Sequence, residues 1–204
     1  MCREQLPVWQ REWPSLRTAT ARFVTVAADS DLAATRQFAE RHDFPTLVDT
    51  ENRLARILGY RAIPNGYVFG PDGALLDVKV TNFDLRREGP ATLGIVRGWL
   101  GRAPITEKLA TRPGMNSAIP AALELFAQGD RLLQAGRRDA GLARWHAAFL
   151  ADPASMVVRK QIWRELYPDR FGELIDLEWQ KQQVARENEI GFGAANPSLP
   201  APEI

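Results

Sequence analysis

The spacing of apolar residues changes once along the chain, and that change limits what the chain can fold into. Up to about residue 101, short β-rich runs alternate with helical segments; from Ile119 onward the spacing is helical throughout. Leu6, Trp9, Trp13 and Leu16 make one apolar helix face, so a helix is predicted from the first residues. Ala21–Ala28 reads as a buried strand, and Leu32–His42 as a helix with Leu32, Thr35, Phe38 and Ala39 inward. Phe44–Asp49 is too short for a helix and reads as an edge strand or extended segment. A helix carrying Leu54, Ile57 and Leu58 follows, which Gly59 can end. Two apolar runs flank Pro71-Asp72-Gly73, which predicts an antiparallel hairpin, and a helix over Pro90–Leu100 closes the series. This order predicts an α/β layered sheet with the hairpin as its antiparallel edge.

Gly101–Ser117 holds Pro104, Pro113 and Gly114 with little periodicity, so residues 102–118 read as a linker. Beyond it, Leu123, Phe126 and Leu133 lie on one helix, Leu142, Trp145 and Phe149 on a second, and Val157, Ile162 and Trp163 on a third. Residues Ala122–Ser155 resemble a single tetratricopeptide (TPR-like) unit at Gly129, Gly141, Trp145, Ala148 and Pro153, with Leu125 and Leu132 on the first helix. A lone repeat cannot bury its own face, so the 119–171 region is expected to dock on the first domain or to carry a protein partner. Residues 172–190 read as a charged helix with Leu174, Leu177 and Val184. Residues 191–204, rich in Pro, Ala and Gly, read as a disordered tail.

One cysteine in 204 residues excludes an internal disulfide framework, a zinc–cysteine cluster and a complete Cys-x-x-Cys motif. With two histidines besides, no metal and no cofactor are expected. Lys+Arg 26 against Asp+Glu 25 leaves a net charge of +1, so no basic field argues for nucleic acid. No apolar stretch approaches the ~20 residues that cross a bilayer, so no membrane segment is expected and the chain as written reads as cytoplasmic. The six tryptophans read as core and docking anchors, and His146 as surface or partner-facing.

The lone thiol is Cys2, in Cys2-Arg3-Glu4-Gln5-Leu6-Pro7. That segment resembles the stretch after Trp-Cys-x-x in thioredoxin-like redoxins, above all the TlpA/ResA-type thiol–disulfide oxidoreductases, relatives of the AhpC/TSA group. The resemblance continues through Phe44-Pro45-Thr46-Leu47-Val48-Asp49, Tyr60-Arg61-Ala62-Ile63-Pro64, the Gly66–Phe69 strand and the Asp72-Gly73 turn, and covers residues 2 to about 101. It implies a thioredoxin-like three-layer sandwich over 1–101, truncated at its N-terminus, before the helical C-terminal region.

The resemblance further implies a cis proline at Pro64 packed beside the active-site thiol. Lacking an N–H, Pro64 leaves the backbone of Ile63 to pair with an extended substrate. Cys2 falls at the second, resolving position of Cys-x-x-Cys. The attacking cysteine and the strand before it are expected upstream of the chain as written, together with any export signal or anchor. Their absence would leave the Phe23–Ala27 and Gly66–Phe69 strands without the neighbour between them. A dithiol cycle cannot then run, while a single thiol can still form mixed disulfides or a sulfenic acid with protein or low-molecular-weight thiols as partners. Glu4 is a candidate for proton transfer near Cys2. Two other functions are carried alongside. One is a peroxiredoxin-like antioxidant enzyme, for which Arg36, Arg41 or Arg61 would stand near the thiolate. The other is a non-catalytic interaction module using the C-terminal helices.

Overall fold

Two prolines, Pro7 and Pro14, sit inside the first helix, α1 (Cys2–Leu16), and each removes a ladder hydrogen bond. The helix is held by packing instead: Trp9 and Leu16 are buried in an aromatic-rich cluster that Leu6, Val8 and Trp13 extend. The computed structural model describes residues 2–18, 21–29, 31–50, 52–79, 83, 85, 89–101, 119–172 and 176–203. The side chains of Cys2, Arg3, Glu4 and Ala34 are outside that description, as is the expected linker at 102–118.

The chain forms two units, Met1–Thr50 with Ile57–Ser117, and Glu51–Arg56 with Ala118–Ile204. In the first, β1 (Thr25–Ala27) runs parallel to β2 (Thr46–Val48), with α2 (Leu32–Ala39) as the crossover. The Thr25 and Thr46 hydroxyls hydrogen-bond across the pair at 2.7 Å. The short helix α3 (Arg53–Leu58), whose residues up to Arg56 are assigned to the second unit, ends at Gly59, whose φ of 67° is the left-handed turn that glycine adopts freely. Then come β3 (Gly66–Phe69) and β4 (Leu75–Lys79), paired antiparallel with Val68 opposite Asp77. Gly73, at φ 77°, supplies the positive dihedral of the hairpin turn. Helix α4 (Gly89–Gly101) packs on α1.

The mixture of helices and strands expected from the sequence is present, but among the described residues the strands form two separate two-stranded sheets, β1–β2 and β3–β4, so the hairpin is not the edge of one layered sheet. Three local expectations change. The first strand is shorter than Ala21–Ala28, and its Val24 and Val26 lie on an exposed face with Leu47. Leu32 on α2 and Ile57 on α3, both expected inward, are exposed, Ile57 by 70%. A helix of eight residues on a two-stranded sheet has little surface on which to bury a full apolar stripe.

In the second unit, α5 (Pro120–Gln134) and α6 (Arg138–Ala151) form an antiparallel pair around Gly136, at φ 74°. They approach closely because Gly129 and Gly141 carry no Cβ at the crossing: one at Gly129 would lie 2.3 Å from Trp145 Cδ1. Trp145 is fully buried and donates to the Phe126 carbonyl at 3.1 Å. Helix α7 (Met156–Leu166) is capped by Ser155, and a 3₁₀ turn (Pro168–Arg170) follows. Helix α8 (Leu177–Ile190), capped by Asp176, leads into the short α9 (Phe192–Ala195).

Two readings of this region are overturned. The charged helix buries not an apolar stripe but Gln180, Gln183 and Glu187; Gln183 donates to Asn196 and Glu187 accepts from Trp163, while Gln180 Nε2 has no hydrogen-bond partner. Residues 191–203 are not a disordered tail: α9, the buried Asn196 and the buried Leu199 fix them to the unit. His146, expected at the surface, is buried beneath this segment.

Candidate functional site

Helix α1 begins at Cys2, and Glu4 lies in its first turn; their backbone positions are fixed, while their side chains lie outside the described set. One turn on from Cys2 stands Gln5, only 2% exposed, whose Nε2 has no hydrogen-bond partner. Gln5 and Trp9, four residues apart, share the buried face of the helix. Glu4 stood out in the sequence as the nearest carboxylate; among the described side chains of this stretch, Gln5 is the buried polar one. Sequence spacing alone held that signal, since Gln5, Trp9 and Leu16 repeat at helical intervals.

Trp9 is gripped on both sides. Phe23 packs against it at a centroid distance of 5.2 Å, and Phe83 stacks on it at 5.1 Å. Phe83 also stacks on Trp99 of α4 at 6.0 Å, and Trp99 donates to the Asp77 carboxylate of β4 at 2.8 Å. The ring of Phe83 lies directly over Gly66, where a Cβ would come within 2.5 Å of Cε2. Gly66 opens β3, two residues after Pro64. This aromatic chain therefore ties the helix headed by Cys2 to the turn that carries Ile63 and Pro64.

Within that turn the Ile63–Pro64 peptide bond is cis, the geometry that the resemblance implies. Ile63 is 37% exposed, so its surface is open to a partner. The Asn65 amide donates to the Ala62 carbonyl at 2.7 Å and pins the loop. Two phenols flank it. Tyr60 is buried, and burial first, then the Asp49 carboxylate and the Tyr67 hydroxyl, push its pKa well above the ordinary range. Burial pushes Tyr67 up to about 12, while the Asn65 side chain, too poorly aligned for a full hydrogen bond, pulls weakly the other way. Both stay protonated near neutrality, where they can donate a hydrogen bond but not act as bases. In the sequence Tyr60 entered only as the first residue of Tyr60-Arg61-Ala62-Ile63-Pro64, and Tyr67 only within the Gly66–Phe69 strand.

Of the arginines weighed for peroxide chemistry, Arg36 is on α2, and Arg41, just beyond it, lies over the Phe38 ring at 5.8 Å. Arg61 lies in the turn before Pro64. His42 is stacked on Phe44 at 5.3 Å and contacts the Phe38 carbonyl at 3.2 Å. Among the described residues, no cluster of three or more His, Cys, Asp or Glu could hold a metal ion, and no helix is long and apolar enough to cross a membrane. Comparisons of the chain with protein-family models, with curated proteins and with solved structures find no match.

Proposed function

We propose that the first unit is a thioredoxin-like redoxin of thiol–disulfide oxidoreductase type, acting on protein or small-molecule thiols through its one cysteine. The observation that carries this reading is the packing of Trp9 on Phe83 and of Phe83 on Gly66, which links the Cys2 helix to the Ile63–Pro64 turn. The order of elements, a parallel pair and then an antiparallel hairpin between α1 and α4, supports it.

Cys2 is the first residue of the 15-residue α1, and this reading gives its sulfur the nucleophile's part, taken as the thiolate. In the proposed step the Cys2 thiolate attacks one sulfur of a substrate disulfide. A new S–S bond forms, the old one breaks, and its electron pair leaves on the other sulfur, which takes a proton from water. The product is a mixed disulfide, and a second thiol from substrate or solution must attack it to release Cys2. The backbone of Ile63 would hold an extended substrate, and Glu4 would exchange protons with the thiol.

Incubation of the full chain with oxidised glutathione tests this, read by intact mass and by the rate of thiol consumption. A single glutathione adduct, formed faster than on free cysteine at neutral pH and lost in Cys2→Ser, is the expected result. Ile63→Asp should slow exchange with a peptide disulfide but not alkylation by a small reagent. A thiol that reacts no faster than free cysteine would overturn the reading.

A further inference from the structure

Past α9 the chain turns back along α6 instead of leaving the unit. The fully buried Asn196 sets that turn: its amide donates to the Phe192 carbonyl at 2.8 Å and to Glu187 Oε1 at 3.0 Å, and its oxygen accepts from Gln183 at 3.0 Å. Beyond this hub, Leu199 is the buried side chain, at 8% exposure, while Pro197, Ser198, Ala201, Pro202 and Glu203 are exposed.

The rest of the seat is polar and reads backbone. The His146 ring lies with Nδ1 2.7 Å from the Pro200 carbonyl and donates to it. Arg144 donates to the Glu203 carbonyl at 3.1 Å and faces the Glu203 carboxylate at 3.8 Å. The Glu203 N–H donates to the Ala143 carbonyl at 3.2 Å. Proline at 197, 200 and 202 fixes φ and favours an extended polyproline-type chain whose carbonyls stay available to such donors. One aliphatic side chain, Leu199, set in the core cluster, and a few hydrogen bonds to backbone carbonyls hold the segment, helped by the high effective concentration of a tethered chain.

We infer that the face of α6 bearing Ala143, Arg144 and His146 is a docking groove for an extended peptide of the pattern apolar-Pro-x-Pro-acidic, which Leu199–Glu203 fills in cis and a partner's segment of the same chemistry displaces. The pairing of Arg144 with Glu203 sets the sign of charge such a partner must bring, and the seated segment sets its apolar and proline positions. This inference does not depend on the redox reading of the first unit.

The test uses the full chain and a fluorescein-labelled peptide, Asn-Pro-Ser-Leu-Pro-Ala-Pro-Glu, read by fluorescence anisotropy. Leu199→Asp, which weakens the cis hold, should bind the peptide at least tenfold more tightly than the unaltered chain does. Adding Arg144→Glu should abolish that gain, and a peptide ending in Lys should restore it. If Leu199→Asp loses its helical circular dichroism, Glu203→Lys in the tail takes its place, with the same direction and a smaller factor. The inference is overturned if a folded tail-weakened variant, its residues 197–203 unprotected from hydrogen exchange, binds no better than the unaltered chain, or binds a scrambled peptide equally well. A concentration-dependent dimer whose tail protection rises with association would assign the groove to a second copy, and would equally overturn it.

Discussion

Trp9 and Phe83 stack with centroids 5.1 Å apart and planes 16° from parallel, and Phe83 covers Gly66 with no room for a side chain beneath. Three stretches far apart in sequence thus meet: the second turn of α1, residue 83 after the hairpin, and the first residue of β3. The glycine at 66 is required by space and not by its dihedral. Because Phe83 is held on its other side by Trp99, it has little freedom to withdraw.

Gly66→Ala should therefore destabilise the protein by about 1–3 kcal/mol, the usual cost of forcing an extra methyl into a packed core. Urea denaturation of the full chain reads this as a lower midpoint. Phe83→Leu in the same background should return part of the loss, giving a coupling between the two sites. An unchanged midpoint in Gly66→Ala would mean that Phe83 yields freely and that the link between α1 and the Pro64 turn is loose.

The two phenols beside that turn predict an alkaline limit on stability. Unfolded, Tyr60 and Tyr67 would titrate near the ordinary value of about 10; folded, burial holds Tyr67 at about 12 and Tyr60 higher still. Below pH of about 10 both states are protonated and the full stability is present. Between about 10 and about 12 the unfolded chain releases protons that the folded one keeps, so stability falls as pH rises. Urea midpoints measured across that window should decline, and Tyr60→Phe should flatten the decline. A slope unaltered by Tyr60→Phe would place the alkaline sensitivity elsewhere.

What could be read in the sequence was what local chemistry dictates. The Pro71-Asp72-Gly73 turn announces the hairpin because Gly73 must take a positive φ, and the Gly129, Gly141 and Trp145 spacing announces the α5–α6 crossing. The buried polar residues were hidden because their partners are remote. Gln183 and Glu187 look like a solvated helix face until Asn196 and Trp163 arrive from other elements to satisfy them. The C-terminal segment has the composition of a disordered tail, yet two residues, Asn196 and Leu199, suffice to seat it. At the candidate site, the cis geometry of the Ile63–Pro64 bond was legible through motif order. The burial of Tyr67 was not, since nothing in a single chain marks a phenol for burial.

Glycines on two helices should respond oppositely to the same substitution. At Gly129 an added Cβ would meet Trp145, itself fixed by its bond to Phe126 O and by stacking on Phe126 at 5.0 Å. Gly129→Ala should cost about 1–3 kcal/mol or separate the helix pair. At Gly98, an exposed position in α4, an added Cβ meets nothing within 4 Å. Gly98→Ala should stabilise by about 0.5–1 kcal/mol through lower unfolded-state entropy and better helix propensity. Thermal melts of the two variants check both signs; equal effects would deny that the α5–α6 crossing is tight.

The polar hub of the second unit gives the sharpest stability test. Glu187 and Arg159, with side chains 2% and 11% exposed, face each other at 3.3 Å without the alignment of a linear hydrogen bond. Glu187 also accepts from Trp163 at 2.6 Å and Asn196 at 3.0 Å, while Arg159 lies over the Phe149 ring at 5.0 Å. Glu187→Gln keeps an acceptor for Trp163 and Asn196 but removes the counter-charge, leaving a buried guanidinium whose ring contact compensates only in part. The expected cost is about 3–5 kcal/mol, that of breaking a buried pair from one side. Removing both charges, in Glu187→Gln with Arg159→Gln, should cost less than the sum of the two single changes. Denaturant midpoints for the three variants decide it: a single Glu187→Gln that melts like the unaltered chain would show that Arg159 reaches water, and that the hub is held by its neutral hydrogen bonds alone.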